Sequence, residues 1–195
     1  MPEYTDLQKS AIQEIGNIGT GNAATALSQM IGVTIEIDPP VLDVVPLAEA
    51  TERVGPPEKP IIAVLTPVVG DVPANILLAF SFEAAASLCG LLGADPMSEI
   101  GRSALQEMGN ILTSSYVTAM VQMVGLKLEP APPGVAVDML GAIVDGVLAY
   151  AGMSTDAVLF LQTALHVDGA YCDFGFLYVP DADAVETLLG ALGVA

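Results

Sequence analysis

The chain has 195 residues, 53% of them hydrophobic, which suffices for one substantial core or two small ones and argues against disorder. Five basic residues against 23 acidic ones give a net charge of −18, which repels a phosphate backbone and argues against nucleic-acid binding. Such a charge suits solubility and basic partners.

In chain order, a long helix is expected over residues 3 to about 30, with Thr5 or Asp6 near its start and Gly32 at its end. Gly16, Gly19 and Gly21 weaken such a helix by about 1 kcal/mol each relative to Ala, so their expected use is close approach by another backbone. Residues 33–37 and 41–46 read as strands, and 48–59 as a charged, proline-bearing loop. Residues 61–69 and 72–82 read as β-branched strands around a tight turn at Gly70-Asp71. A helix over 82–92 stops at Gly93. The next long helix takes Asp95 as N-cap and Pro96 as its first residue, and runs to about Val124 before Gly125. A short strand follows at 126–129. Met139, Leu140, Ile143, Val144 and Val147 recur at helical spacing, so residues 135–150 read as an amphipathic helix without a counterpart earlier in the chain. Residues 158–166 and 170–179 read as a hairpin around Asp168-Gly169. Asp183 and Glu186 have capping-box spacing for a last helix to about Leu192.

One stretch occurs twice. SAIQEIGN carries Ser10, Glu14 and Asn17; SALQEMGN carries Ser103, Glu107 and Asn110. Each copy reaches a Pro-Pro pair after the same interval, ending on Pro40 and Pro133, and 16 of the 31 aligned positions are identical. An internal repeat of this length is one supersecondary unit built twice. On a helix, Ser10, Glu14 and Asn17 fall within roughly 60° of one another, while Ile12, Ile15 and Ile18 lie on another side. The apolar side can bury while Glu and Asn face outward together. Glu offers a carboxylate for a partner cation, and Asn an amide that can orient a water. Neither is a strong nucleophile, so the pair suits chemistry completed on another protein's reaction centre. A face selected only to be polar has no reason to keep the same three residues twice.

Strands joined by tight turns imply an antiparallel sheet in an α/β (α+β) fold, not βαβ units. The expectation is a single domain over 1–195, made of two repeats, about 1–93 and 94–195, related by a pseudo-twofold axis. That axis leaves the two Glu–Asn surfaces well separated.

Other motifs carry less. Gly19-Thr-Gly21-Asn-Ala-Ala24 fits a loose dinucleotide-binding pattern, but no strand precedes it and the second copy lacks its glycines. His166 is the only histidine, which leaves little case for a zinc site or a catalytic triad. Cys89 and Cys172 read as buried thiols of a reducing compartment. No secretory leader is evident, and the two uncharged stretches are broken by Asn, Ser, Gln and Gly, so no membrane span is expected.

These residues resemble the CheC family of chemotaxis phosphatases, related to CheX and FliY. Its signature is Asp or Ser, three residues, Glu, two residues, Asn, 22 residues, Pro. Ser10, Glu14, Asn17 and Pro40 fit it, and so do Ser103, Glu107, Asn110 and Pro133. The resemblance implies a cytoplasmic phosphatase that hydrolyses the phospho-aspartate of the response regulator CheY. Glu14 and Glu107 would pair with the regulator's lysine, and Asn17 and Asn110 would hold the attacking water. Ser10 and Ser103 would support the helix or the interface. Mg²⁺ would belong to the regulator, with no cofactor in this chain. The family also binds the receptor deamidase CheD. The helix around Asp138, Met139, Ile143 and Asp145 is the expected contact, and an adaptor acting mainly on CheD is the alternative. A flagellar-motor role would need a switch domain for which this chain has no room.

Overall fold

The computed structural model describes residues 4–46, 49–150, 157–167, 170–181 and 183–195. The start of the first expected helix and the Asp168-Gly169 turn lie outside these residues.

Helix α1 spans Asp6–Ile31. Thr5 caps it reciprocally: its hydroxyl accepts from the Gln8 N–H, and the Gln8 side chain accepts from the Thr5 N–H. Gly32 closes it at φ 82°, a left-handed conformation that a Cβ would strain. Helix α4, Glu99–Val124, ends on Gly125 in the same way. Its start corrects the expected cap. Asp95 to Ser98 form a closed turn, and Pro96 lies in that turn and not in the helix. The Asp95 carboxylate accepts from the Met97 N–H at 2.7 Å, and Ser98 caps α4 through the Gly101 N–H at 3.0 Å.

Eight strands form one antiparallel sheet. In the first half these are β1 (Ile35–Ile37), β2 (Val41–Pro46), β3 (Pro60–Gly70) and β4 (Ala74–Ser81). In the second they are β5 (Leu128–Pro130), β6 (Gly134–Met139), β7 (Ala157–Val167) and β8 (Ala170–Pro180). The order β1-β7-β8-β4-β3-β5, with β2 also on β7 and β6 also on β3, reads the same from either edge once the halves are interchanged. Ile35 faces Val167 as Leu128 faces Gly70, and Val41 faces Gln162 as Gly134 faces Leu65. At the middle, Leu78 of β4 faces Phe176 of β8. The short strands of each half therefore pair with the hairpin of the other.

Among the described residues there are four further helices: α2 (Ala50–Val54), α3 (Phe82–Gly90), α5 (Leu140–Tyr150) and α6 (Ala184–Ala191). Two of them correct the reading from sequence. Residues 135–139 belong to strand β6, because their period-two alternation pairs along β3, and the helix starts only at Leu140. The loop expected at 48–59 contains α2, which follows β2 as α5 follows β6. The counterpart of α5 is thus shortened, not missing. At α6, Asp183 precedes the helix but its side chain makes no capping bond; its φ is 61°.

The sheet has a helical layer on each face. Helices α1, α3, α4 and α6 cover one face and bury Ile15, Leu27, Leu105, Leu112 and Phe176 among others. Helix α5, with α2, covers the other through Leu140, Val144 and Val147 over Ile61, Leu77 and Phe160. Strand β4 serves both: Ile76, Leu78 and Phe80 enter the first core, Leu77 and Ala79 the second. Both cysteines are buried.

Helices α1 and α4 meet at Gly19 and Tyr116. A Cβ on Gly19 would lie 2.7 Å from the Tyr116 ring and 3.0 Å from its Cα. Gly19 therefore has the close-approach role; Gly16 instead meets the Pro40 and Leu161 side chains, and Gly21 faces open space. The Tyr116 hydroxyl shares a 2.7 Å hydrogen bond with Thr20, and burial pushes its pKa up to about 12 from an ordinary 10.0.

Gly19→Ala should cost about 1–3 kcal/mol by urea unfolding, since the added methyl must displace a ring and a backbone. A phenol whose folded pKa is raised stabilises the protein fully below pH 10 and loses that contribution as pH rises towards about 12. Tyr116→Phe should cost about 1 kcal/mol at neutral pH through the lost bond to Thr20. It should also make the alkaline loss of stability shallower.

Candidate functional site

The duplicated motif forms an exposed ridge on each long helix. On α1, Ser10, Glu14 and Asn17 are exposed while Ile12 and Ile15 are buried. The Asn17 Nδ2 donates to Glu14 Oε2 at 3.3 Å, and its Oδ1 accepts from Gln13 Nε2 at 3.4 Å. Carboxylate and carboxamide are thus adjacent on one surface. On α4, Ser103 and Glu107 are exposed and Asn110 is half-buried; Leu105 and Met108 face the core.

Gln13 carries a function that the motif reading left unassigned. Its Nε2 also donates to the Pro40 carbonyl, and its Oε1 accepts from the Leu42 N–H at 3.0 Å. This fastens the entry of β2 to α1 beside Asn17. Pro40 is buried, and its ring is what a Cβ on Gly16 would meet at 3.0 Å. From the sheet side, Thr163 Oγ1 donates to the Asp38 carbonyl at 2.7 Å, and His166 Nε2 lies 2.9 Å from Asp38 Oδ2. His166 thus helps to hold the loop that floors the first ridge. The second ridge repeats the main tie: Gln106 Nε2 donates to the Pro133 carbonyl at 2.6 Å. Here, however, the glycine equivalent to Gly16 is Gly109, which packs on Val64, and Pro133 is half-buried. The signal in the sequence was the Gln kept in both copies; its partners could not be read there.

The ridges stand over opposite edges of the sheet. The first is tied to β2 on β7, the second to β6 on β3, with β8 and β4 between. Five strand spacings separate β2 from β6, about 24 Å. An open groove of about 470 Å³ beside the second ridge is lined by Met97, Arg102, Ser103, Gln106 and Val135.

The remaining candidates sit elsewhere. Asp138 and Met139 lie at the end of β6, both exposed. On α5, Asp145 is exposed, whereas Ile143 packs partly against the core under that helix. Three of these four side chains are therefore open to a partner. Among the described residues, no helix is long and apolar enough to cross a membrane.

Two segments, residues 7–43 and 100–137, match the CheC-like family. They coincide with the two ridges and the strands tied to them. The CheY-P phosphatase CheC of Bacillus subtilis is 27% identical over 198 residues, covering 96% of this chain and 95% of that protein. The flagellar motor switch phosphatase FliY of the same organism is 33% identical over 145 residues, 69% of this chain and 38% of FliY. The crystal structure of Thermotoga maritima FliY superimposes with a TM-score of 0.80 at 20% identity, covering 98% of each chain.

Gln13→Ala should leave α1 intact but release the entry of β2. Hydrogen exchange at the Leu42 amide, which loses its acceptor, should accelerate by about tenfold, the equivalent of roughly 1.4 kcal/mol.

Proposed function

Because the chain belongs to the CheC-like family, we propose that it is a phosphatase acting on the phospho-aspartate of the response regulator CheY. The observation that carries this reading is the Glu14–Asn17 pair, exposed and hydrogen-bonded at 3.3 Å on a helix whose motif is built twice. Residues 1–195 act as one domain of two repeats, in the cytoplasm where such a regulator would be met.

Phosphoryl transfer needs positioning and charge management more than a protein nucleophile. Glu14 or Glu107 pairs with a lysine of the regulator and fixes the docking register. Asn17, giving up its long intramolecular contacts, or Asn110 takes a water and holds it in line with phosphorus. The water's oxygen forms the new P–O bond, and the aspartate oxygen leaves as carboxylate. Fixing that water contributes several kcal/mol of the acceleration. The Mg²⁺ would be held by the regulator's own carboxylates. Gln13 and Gln106 act as positioning residues, and Ser10 and Ser103 support the docking surface.

A second reading is an adaptor for the receptor deamidase CheD. What favours it is the exposed Met139, 55% accessible at the end of β6, next to Asp138 and close in sequence to the exposed Asp145 of α5. The two readings use different surfaces and are compatible.

Decay of phosphorylated CheY tests the first. Asn17→Ala and Asn110→Ala each remove one ridge, and the double variant should lose about 100-fold or more in rate. A double variant as fast as the parent overturns the assignment. For the second, Asp145→Lys should weaken capture of CheD while leaving phosphatase activity unchanged.

A further inference from the structure

The ridges carry one more duplicated feature. Leu7 is 66% exposed and Ile100 is 72% exposed, the two highest values among the large apolar side chains of the described residues. Neither packs against a core cluster. They occupy the same place in the two copies, three residues before Ser10 and Ser103. On a helix, Leu7 lies within about 20° of Glu14 and about 10 Å from it along the axis, and Ile100 stands likewise to Glu107. Each ridge therefore runs, on one side of its helix, from an exposed aliphatic side chain to the Glu and Asn.

Folding gives no reason for this. Both positions face water in the first turns of their helices, where a polar residue would be better solvated and no less helical. A single exposed Leu is ordinary; the same exposure at the same position of both copies, on the side that presents Glu and Asn, is not.

We propose that Leu7 and Ile100 are apolar docking contacts for the phosphorylated response regulator, determining its affinity without taking part in the chemistry. The inference rests on the phosphatase reading, which supplies the occupant. A standard interface buries about 800 Å² per partner, a patch roughly 30 Å across. A regulator seated on Glu14 and Asn17 thus extends over Leu7, and one seated on Glu107 and Asn110 extends over Ile100. An aliphatic anchor near a charged pair is also what a chain of −18 needs, since long-range charge alone would favour any basic protein. A second copy of this chain is the less suitable occupant, because a twofold dimer requires one such patch and here both ridges carry it.

The test uses Leu7→Ser, Ile100→Ser and the double variant in the full chain. Binding is measured by calorimetry against CheY loaded with beryllofluoride, a stable stand-in for the phosphoryl group, and turnover against phosphorylated CheY. The double variant should weaken Kd and raise KM by about tenfold, with kcat within about twofold of the parent. Unchanged Kd and KM would overturn the inference, as would a fall in kcat at unchanged KM. Light scattering provides a further arm: a parent dimer that the double variant converts to a monomer would assign the pair to self-association and overturn the docking role. The Asn17→Ala/Asn110→Ala variant separates the two claims. If it turns over normally the catalytic reading fails, whatever the calorimetry of the Leu7 and Ile100 variants shows.

Discussion

Everything in this molecule depends on the exchange of short strands between its halves. Strands β1 and β2 pair with β7, and β5 and β6 with β3, while β4 and β8 join the halves at the centre. Neither hairpin has a covered edge without the other half's strands, and an uncovered edge exposes unpaired backbone groups. Each half's sheet is consequently completed by the other, and each ridge is floored by a strand anchored on the opposite half.

That arrangement fits the chemistry proposed. A surface that completes another protein's reaction centre must hold an amide to within a fraction of an ångström, and long exposed helices do not do that alone. Here each ridge is braced from below. Gln13 ties α1 to Pro40 and Leu42, and Thr163 with His166 secures Asp38 just upstream. The proline that closes the motif is thus a structural counterpart of the Glu and Asn: buried against Gly16, it sets the level of the loop beside Asn17. The second ridge keeps the Gln tie but rests its glycine on Val64, so the two surfaces are related without being identical.

Much of this was legible in the sequence because it depends on period and spacing. The repeat, both long helices, the antiparallel hairpins and the outward-facing Glu14–Asn17 pair follow from residue order alone, whereas the half-buried Asn110 of the second copy does not. The misreadings arose where a local pattern competed with a tertiary one. Val135, Val137 and Met139 alternate like a strand, but Met139 also continues the helical spacing of α5, and pairing with β3 decided between them. Asp95-Pro96 has the form of a helix start, yet Ser98 caps the helix because the Asp95 turn closes on itself. Helix α2 hid in a charged, proline-bearing segment. The role of Gln13 could not be read at all, since its partners lie 27 and 29 residues away. Leu7 and Ile100 lie just outside the aligned motif, and only their exposure in the fold distinguishes them from core residues.

The crossed pairing also orders events during synthesis. Helix α1 and β2 leave the ribosome well before β7, yet β2 needs β7, and Val41 precedes its partner Gln162 by about 120 residues. At roughly 5–20 residues per second, that is a wait on the order of 10 s. For that time the nascent chain holds a bare edge and a ridge with no floor. A ribosome stalled midway would therefore release a fragment that carries one whole copy of the motif but no working surface.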